Sequence, residues 1–540
     1  MKSLFWKRFW PVSVIALSAA FTVIIALPAR WSLNTPVHGG QLTEVAQVMP
    51  AAIQLDTNWD DRSLYEPGMQ PAFTHEIEAL PAITQYHIAA ELTLDQDAIV
   101  QGQQRLHYTN QSHDTLDRIV LRLYPNSPPL NNAGSLSVTN VRVREQPIAP
   151  LLSVDDTVLT IPLPEPLAPG EATTLSLNFE TRIKQGEISR SFERLGYVQE
   201  VISGGSWYPA VSVYEARRGW WITPIISGEG DPTYNEVGLY DVQFTVPAEL
   251  TLITNGVFVN QVEHDDGTVT YREVTGPVRS HVFVASDRYG TPETMAIDGV
   301  QIQVWPYQDA ARSPAADEFA LQATVDALGL FNERFTSYPY PELDVVQHPT
   351  FTGLEFSGLI YITEDEWNVE ELPYLEEIIV HEVGHQWFYG LVGNNQVEYP
   401  WLDEGLATYV EILYQRHRFG ESPLASTIRA VSDQLDAGMA EAIGLDPGIP
   451  LNLAVADYGE HYGLVAYYRG AAFLLALEDT LGPETVAAAL RAYTQQFRYK
   501  VATVEDFQTV FEAVAEQDLT PLFQQWVGEY PPVDQPARQS

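Results

Sequence analysis

From about Tyr86 to Tyr289 apolar and polar positions alternate with period two, in short runs such as Ile119/Leu121/Leu123 and Val242/Phe244/Val246. Turn clusters separate the runs, among them Pro125-Asn126-Ser127 and Asp265-Asp266-Gly267. Alternation of this kind buries one face of a strand and wets the other, so the pattern predicts an all-β domain. The pattern changes near Val300. One more strand-like run, Val300 to Trp305, gives way to helical periodicity through Ala315 to Phe335, and the final third reads as mostly helical, with breaks at Gly420, Pro447 and Gly482. Between about Arg30 and Leu80, Pro, Asn, Asp, Gln and Thr occur without sustained periodicity, which predicts a tether or peripheral strap.

At the N-terminus Lys2, Lys7 and Arg8 precede an uncharged, largely apolar run from Phe9 to Ala29. A run of that length can cross a bilayer as a helix, and the basic flank predicts a cytoplasmic N-terminus with the bulk of the chain exported. An uncleaved anchor is favoured over a cleaved signal peptide, because the exit Ala26-Leu27-Pro28-Ala29 makes a poor cleavage site. The expected organisation is a membrane anchor over 1–30, a linker or strap over 31–83, a β domain over 84–298, and a further domain with closing helices over 299–535.

The 540 residues carry a formal net charge of −42 and no cysteine. A field of that sign repels phosphate backbones, so nucleic-acid partners are excluded. Without thiols there are no disulfides and no thiolate metal sites, and any metal must sit on histidine and carboxylates.

Positions 381 to 385 read His-Glu-Val-Gly-His inside an apolar stretch. Histidines at i and i+4 share one helix face and can converge on one cation, with Glu382 turned toward the open side. Nineteen residues beyond His385 stands Glu404, at the start of a second helical pattern announced by Pro400. Two helices joined by the loop from Gly393 to Tyr399 would bring Glu404 beside the histidines. Two histidines and a glutamate with an open fourth position form a catalytic zinc arrangement, whereas a structural zinc site would be closed by four ligands and usually use cysteine. Glu382, next to a ligand but not itself one, is the expected general base for hydrolysis of a peptide bond, and a tyrosine hydroxyl is expected near the developing oxyanion. Glu411, one heptad beyond Glu404, either supports a ligating histidine from behind or faces solvent. Among several tyrosines the residues alone do not single out the oxyanion donor.

The spacing of His381, His385 and Glu404, with His-Gln-Trp-Phe-Tyr-Gly after the first ligands, resembles the aminopeptidase N family of gluzincin metallopeptidases. The resemblance implies an N-terminal saddle-like all-β domain, a thermolysin-like α/β catalytic domain and C-terminal helices, here preceded by one transmembrane helix. It implies one zinc ion and peptide substrates with a free N-terminus. Thr352-Gly353-Leu354-Glu355-Phe356 stands where that family has Gly-x-Met-Glu-Asn, which makes Glu355 the anchor of the substrate's α-amino group; Phe356 departs from the family's asparagine. Tyr467-Tyr468-Arg469-Gly470-Ala471 is similar to the family's Tyr-x-Lys-Gly-Ala, and that register makes Tyr467 the oxyanion donor with Tyr468 its neighbour. The large C-terminal helical domain of longer members is not expected here, which leaves the cleft more open. The expected function is therefore that of a membrane-tethered, extracytoplasmic zinc aminopeptidase. The alternatives are a zinc hydrolase of other specificity, cutting internal or non-peptide bonds, and an inactive relative that only binds peptides.

Overall fold

The computed structural model describes residues 58–309, 312–436 and 448–528, all within one compact unit, Thr57–Ser540. The apolar run at 9–29 lies outside the described residues, and among those described no helix is long and apolar enough to cross a membrane.

The alternating region forms the expected strands. Ala98–Thr109 alternates buried and half-buried positions along its whole length. It pairs antiparallel with Thr84–Leu94 on one side and Ala172–Ile183 on the other, in the middle of an eight-stranded sheet. Two four-stranded sheets and a two-stranded one, Tyr214–Glu215 with Gly219–Trp220, complete the domain. Its interior is aromatic: Trp207, fully buried, stacks on Phe244 and meets Phe283 edge-on.

The half that follows the β domain is built on a five-stranded sheet. Glu293–Ile297 pairs antiparallel with Val300–Trp305, which runs parallel to Glu342–His348, which runs parallel to Leu359–Thr363; Gly353–Phe356 closes the edge as an antiparallel strand. Helix Pro314–Arg334 makes the crossover between the first parallel pair and packs on helix Leu372–Gly384. The sheet thus begins at Glu293, ahead of the expected boundary at 298/299, because the turn at Asp298-Gly299 closes a hairpin within this sheet and does not mark a change of domain.

Of the expected linker or strap over 31–83, residues 58–83 are described. Residues 58–83 fold onto the molecule through Tyr65, Met69, Ile77 and Ile83, all buried. Arg62 ties the segment to itself through the carbonyls of Ile77, Leu80 and Pro81, and Glu76 reaches Arg498 and Tyr499 near the other end of the chain. Single apolar residues at irregular spacing carry this packing, so periodicity could not reveal it.

Glu342 and Asp344 lie side by side in strand Glu342–His348, with Trp305 donating to Asp344 at 2.6 Å. Burial, with Glu273 nearby, pushes Glu342 up from 4.5 to about 7, and burial also raises Asp344. A carboxyl whose pKa is higher when folded keeps its proton there while the unfolded chain loses it. Stability therefore falls as pH rises from about 4.5 to about 7. Glu342→Gln escapes that loss: its apparent Tm is expected to match wild type at pH 4 and to exceed it progressively up to pH 8. A pH-independent difference in thermal scans contradicts this.

Candidate metal centre

Helix Leu372–Gly384 starts with a proline in its first turn and ends at His385. Its two histidines point to one side, as the i, i+4 spacing requires, and their Nε2 atoms are 3.1 Å apart. Glu404 sits in the first turn of helix Trp401–Phe419, where the exposed backbone N–H groups favour negative charge. Its Oε2 lies 3.2 Å from His381 Nε2 and 3.4 Å from His385 Nε2. The three atoms form a nearly equilateral triangle. Donors held at about 2.0–2.1 Å from a tetrahedral zinc stand about 3.3–3.4 Å apart, so the triangle fits that ion.

The opposite faces of both imidazoles are held by carboxylates. His381 Nδ1 bonds Glu411 at 2.8 Å, and His385 Nδ1 bonds Asp403 at 2.7 Å. Protons on Nδ1 leave both Nε2 lone pairs aimed into the triangle. Without a cation the same arrangement attracts protons. Burial opposes charge on His381, but hydrogen bonds to Glu404 and Glu411 outweigh it and push the imidazole up to about 10. His385 is also raised, with Asp403 overcoming burial. Burial works against a charged Glu404 too, yet hydrogen bonds with both histidines hold it well below the usual carboxylate range. The pocket calls for positive charge at its centre, which a divalent cation supplies.

Glu382 is buried, and its Oε2 has no hydrogen-bond partner among the described residues. Burial pushes it up to about 8, against the opposing pull of His381 and His385. Its other oxygen lies under the backbone of Gly353, where an added Cβ would sit 2.3 Å away, so the strand passes this close only because residue 353 has no side chain. Glu355, two residues on, is buried, and its carboxylate, that of Glu382 and a nitrogen of His385 lie within 4.8 Å of one another. Gln386 joins this strand to the metal helix: its amide donates to the Phe356 carbonyl and accepts from the Gly358 N–H. Phe356 itself points into the core, against Tyr361 and beneath the Arg194 guanidinium. Its departure from the family's asparagine is thus a packing change in the floor of the site.

Tyr467 lies on a π-helical turn, Gly463–Arg469, a form often found at functional sites. Its hydroxyl donates to Glu404 Oε1 at 2.6 Å, and its ring stacks on His381. Gly405 and Gly470 allow this approach: a Cβ on either would come 2.9 Å from the other's Cα. Burial, with Glu404 close by, raises Tyr467 well above 10 and keeps it a donor. Burial, with Glu411 and Glu377 nearby, raises Tyr468 as well.

All six sequence-derived residues, His381, Glu382, His385, Glu404, Glu355 and Tyr467, therefore meet at one site, and Glu411 is buried behind His381. Sequence reasoning missed Asp403, although its position beside Glu404 offered a signal: the second histidine also needed a carboxylate behind it. It also missed Gln396, Tyr462, Asp231 and Arg194. Tyr462 donates to Glu404 Oε1 at 3.3 Å. Asp231 and Arg194 come from the β domain and have no local motif.

Residues 319–526 match the family model described as the Peptidase family M1 domain. Aminopeptidase M1-D of Oryza sativa subsp. japonica is 29% identical over 421 residues, covering 73% of this chain and 45% of the relative. Aminopeptidase Q of Homo sapiens is 24% identical over 396 residues, covering 68% of this chain and 38% of the relative. The chain thus spans less than half the length of these curated relatives. In fold it is similar to an M1 zinc metallopeptidase of Deinococcus radiodurans, at 19% identity and a TM-score of 0.57, over 84% of this chain and 95% of that one. A mutant of that enzyme bound to a Tyr-Ser-Ala substrate has a TM-score of 0.58 at 19% identity, over 84% of this chain and 97% of that one.

Proposed function

We propose that the chain, whose residues 319–526 match the Peptidase family M1 domain, is a zinc-dependent aminopeptidase, hydrolysing the N-terminal bond of peptides. The observation that carries the reading is the near-equilateral triangle of His381, His385 and Glu404 donor atoms, with Glu382 and Glu355 buried beside it. Zinc held there acts as a Lewis acid and brings the pKa of a bound water to near neutrality.

The chain's own residues supply the rest. Glu382 offers a carboxylate oxygen free of hydrogen bonds to take the proton of the attacking water and return it to the leaving amine. Tyr467 presents a protonated hydroxyl beside the metal ligands, placed to donate to the oxyanion of the tetrahedral intermediate. Glu355 pairs with the substrate's α-ammonium, since an ammonium entering a buried pocket needs an anion. That a fold relative is bound to a Tyr-Ser-Ala substrate supports a peptide as the substrate.

The test compares an aminoacyl reporter carrying a free amine with its N-acetylated form. Acetylation removes the cation and leaves Glu355 unpaired, so kcat/KM is expected to fall on the order of 100-fold. Equal rates would remove the aminopeptidase assignment and favour a hydrolase of other specificity on the same metal.

A further inference from the structure

Gln396 lies in the loop before helix Trp401–Phe419, and its buried side-chain nitrogen faces three buried carboxylates. It stands 2.5 Å from Asp403 Oδ2, 3.0 Å from Glu355 Oε1 and 3.2 Å from Asp231 Oδ2. An amide nitrogen carries two protons, so three acceptors compete for two donors. The other oxygens of two of these carboxylates are already engaged: Asp403 Oδ1 holds His385 Nδ1, and Asp231 Oδ1 is paired with Arg194. Arg194 also stands 3.8 Å from Glu355 Oε1. Its guanidinium is seated over the Phe356 ring. Asp231, Glu355 and Asp403 lie within 4.8 Å of one another. Asp403 is paired with His385 and Asp231 with Arg194, which leaves the shared amide as the nearest donor to Glu355 among the described residues.

We propose that Gln396 is a positioning residue that couples occupancy of the amine pocket to the grip of Asp403 on His385. The inference rests on the reading that an ammonium binds at Glu355. An arriving ammonium brings up to three N–H donors to Glu355 and Asp231. The amide is then released from those two acids and commits to Asp403 Oδ2. Asp403, fixed at one oxygen, holds His385 Nδ1 more firmly with the other and keeps Nε2 aimed at the metal. With the pocket empty, the amide is shared and Asp403 is held less tightly. Because coupling between two sites is reciprocal, an ammonium tightens zinc as much as zinc tightens the ammonium.

The experiment measures zinc affinity of the full-length protein by competition with a chelator, with and without saturating isoamylammonium, a cation that has no group able to bind zinc. Isoamyl alcohol serves as the uncharged control. Wild type is expected to bind zinc about fivefold more tightly with the ammonium present. In Gln396→Met zinc binding is expected to weaken about tenfold and to lose that response. Charge repulsion between ammonium and zinc acts in both proteins, so their difference isolates the amide. The same response in both, with the ammonium still competing against substrate, overturns the coupling while leaving the amine pocket intact. An ammonium that does not compete with substrate in wild type overturns the amine-pocket reading and the coupling with it. Asp231→Asn provides an independent check if Gln396→Met does not fold. With one acceptor removed, its ammonium-free zinc affinity is expected to rise toward the ammonium-bound value of wild type, although loss of a nearby negative charge alone would lower it. An unchanged or weaker affinity in that variant contradicts the coupling.

Discussion

Glu382→Gln is expected to keep one zinc per chain and to lose peptide hydrolysis by about a thousand-fold or more, with the loss in kcat. The variant keeps size and shape in a pocket where Gly353 leaves no spare room, so the metal ligands are undisturbed. What it removes is the proton acceptor. Glutamine cannot take a proton from water, and in its place it adds an N–H₂ donor that holds the nucleophile in the wrong orientation. Metal analysis and single-turnover rates on the same preparation check the result. Loss of zinc together with activity would mean that Glu382 supports the site and does not perform the chemistry.

Tyr467→Phe is expected to lower kcat about 100- to 1000-fold and to leave KM for free-amine substrates within a few-fold. The hydroxyl donates to Glu404 Oε1 while the ring stacks on His381; phenylalanine keeps the stacking and removes only the donor. An interaction used in the transition state and not in the ground state shows itself in kcat alone. Tyr468→Phe is the control, since the family register gives the donor role to Tyr467, and loss of the Tyr468 hydroxyl should change kcat by less than about threefold. If Tyr468→Phe were the impaired variant, the register that assigns Tyr467 would be wrong.

Local physics explains which parts of the site could be read from the sequence. His381 and His385 are legible because one helical turn aligns them, whereas the sequence left Glu411 open between solvent and the histidine it is bonded to. The strands are legible where alternation persists, as in Ala98–Thr109. Tyr467 is different: a π-helical turn and two facing glycines set its reach, and no periodicity encodes either. Arg194, Asp231 and Gln396 meet Glu355 only because the β domain folds against the catalytic half, so each looks ordinary in its own stretch of chain. The packing residues of the strap at 58–83 were hidden for a related reason, since they are buried singly against surfaces built elsewhere. Even the shift of the catalytic sheet to Glu293 follows this rule, because a hairpin turn carries no mark of the sheet it serves.

The central claim is that His381, His385 and Glu404 hold one zinc ion. Anomalous diffraction collected on both sides of the zinc absorption edge, from crystals of the protein purified without added metal, tests it most directly. A single peak is expected within about 2.2 Å of His381 Nε2, His385 Nε2 and a Glu404 carboxylate oxygen, with Glu411 and Asp403 still bonded behind the imidazoles. A protein that carries zinc elsewhere, or that binds it with Glu404 turned out of reach of the two histidines, would contradict the account.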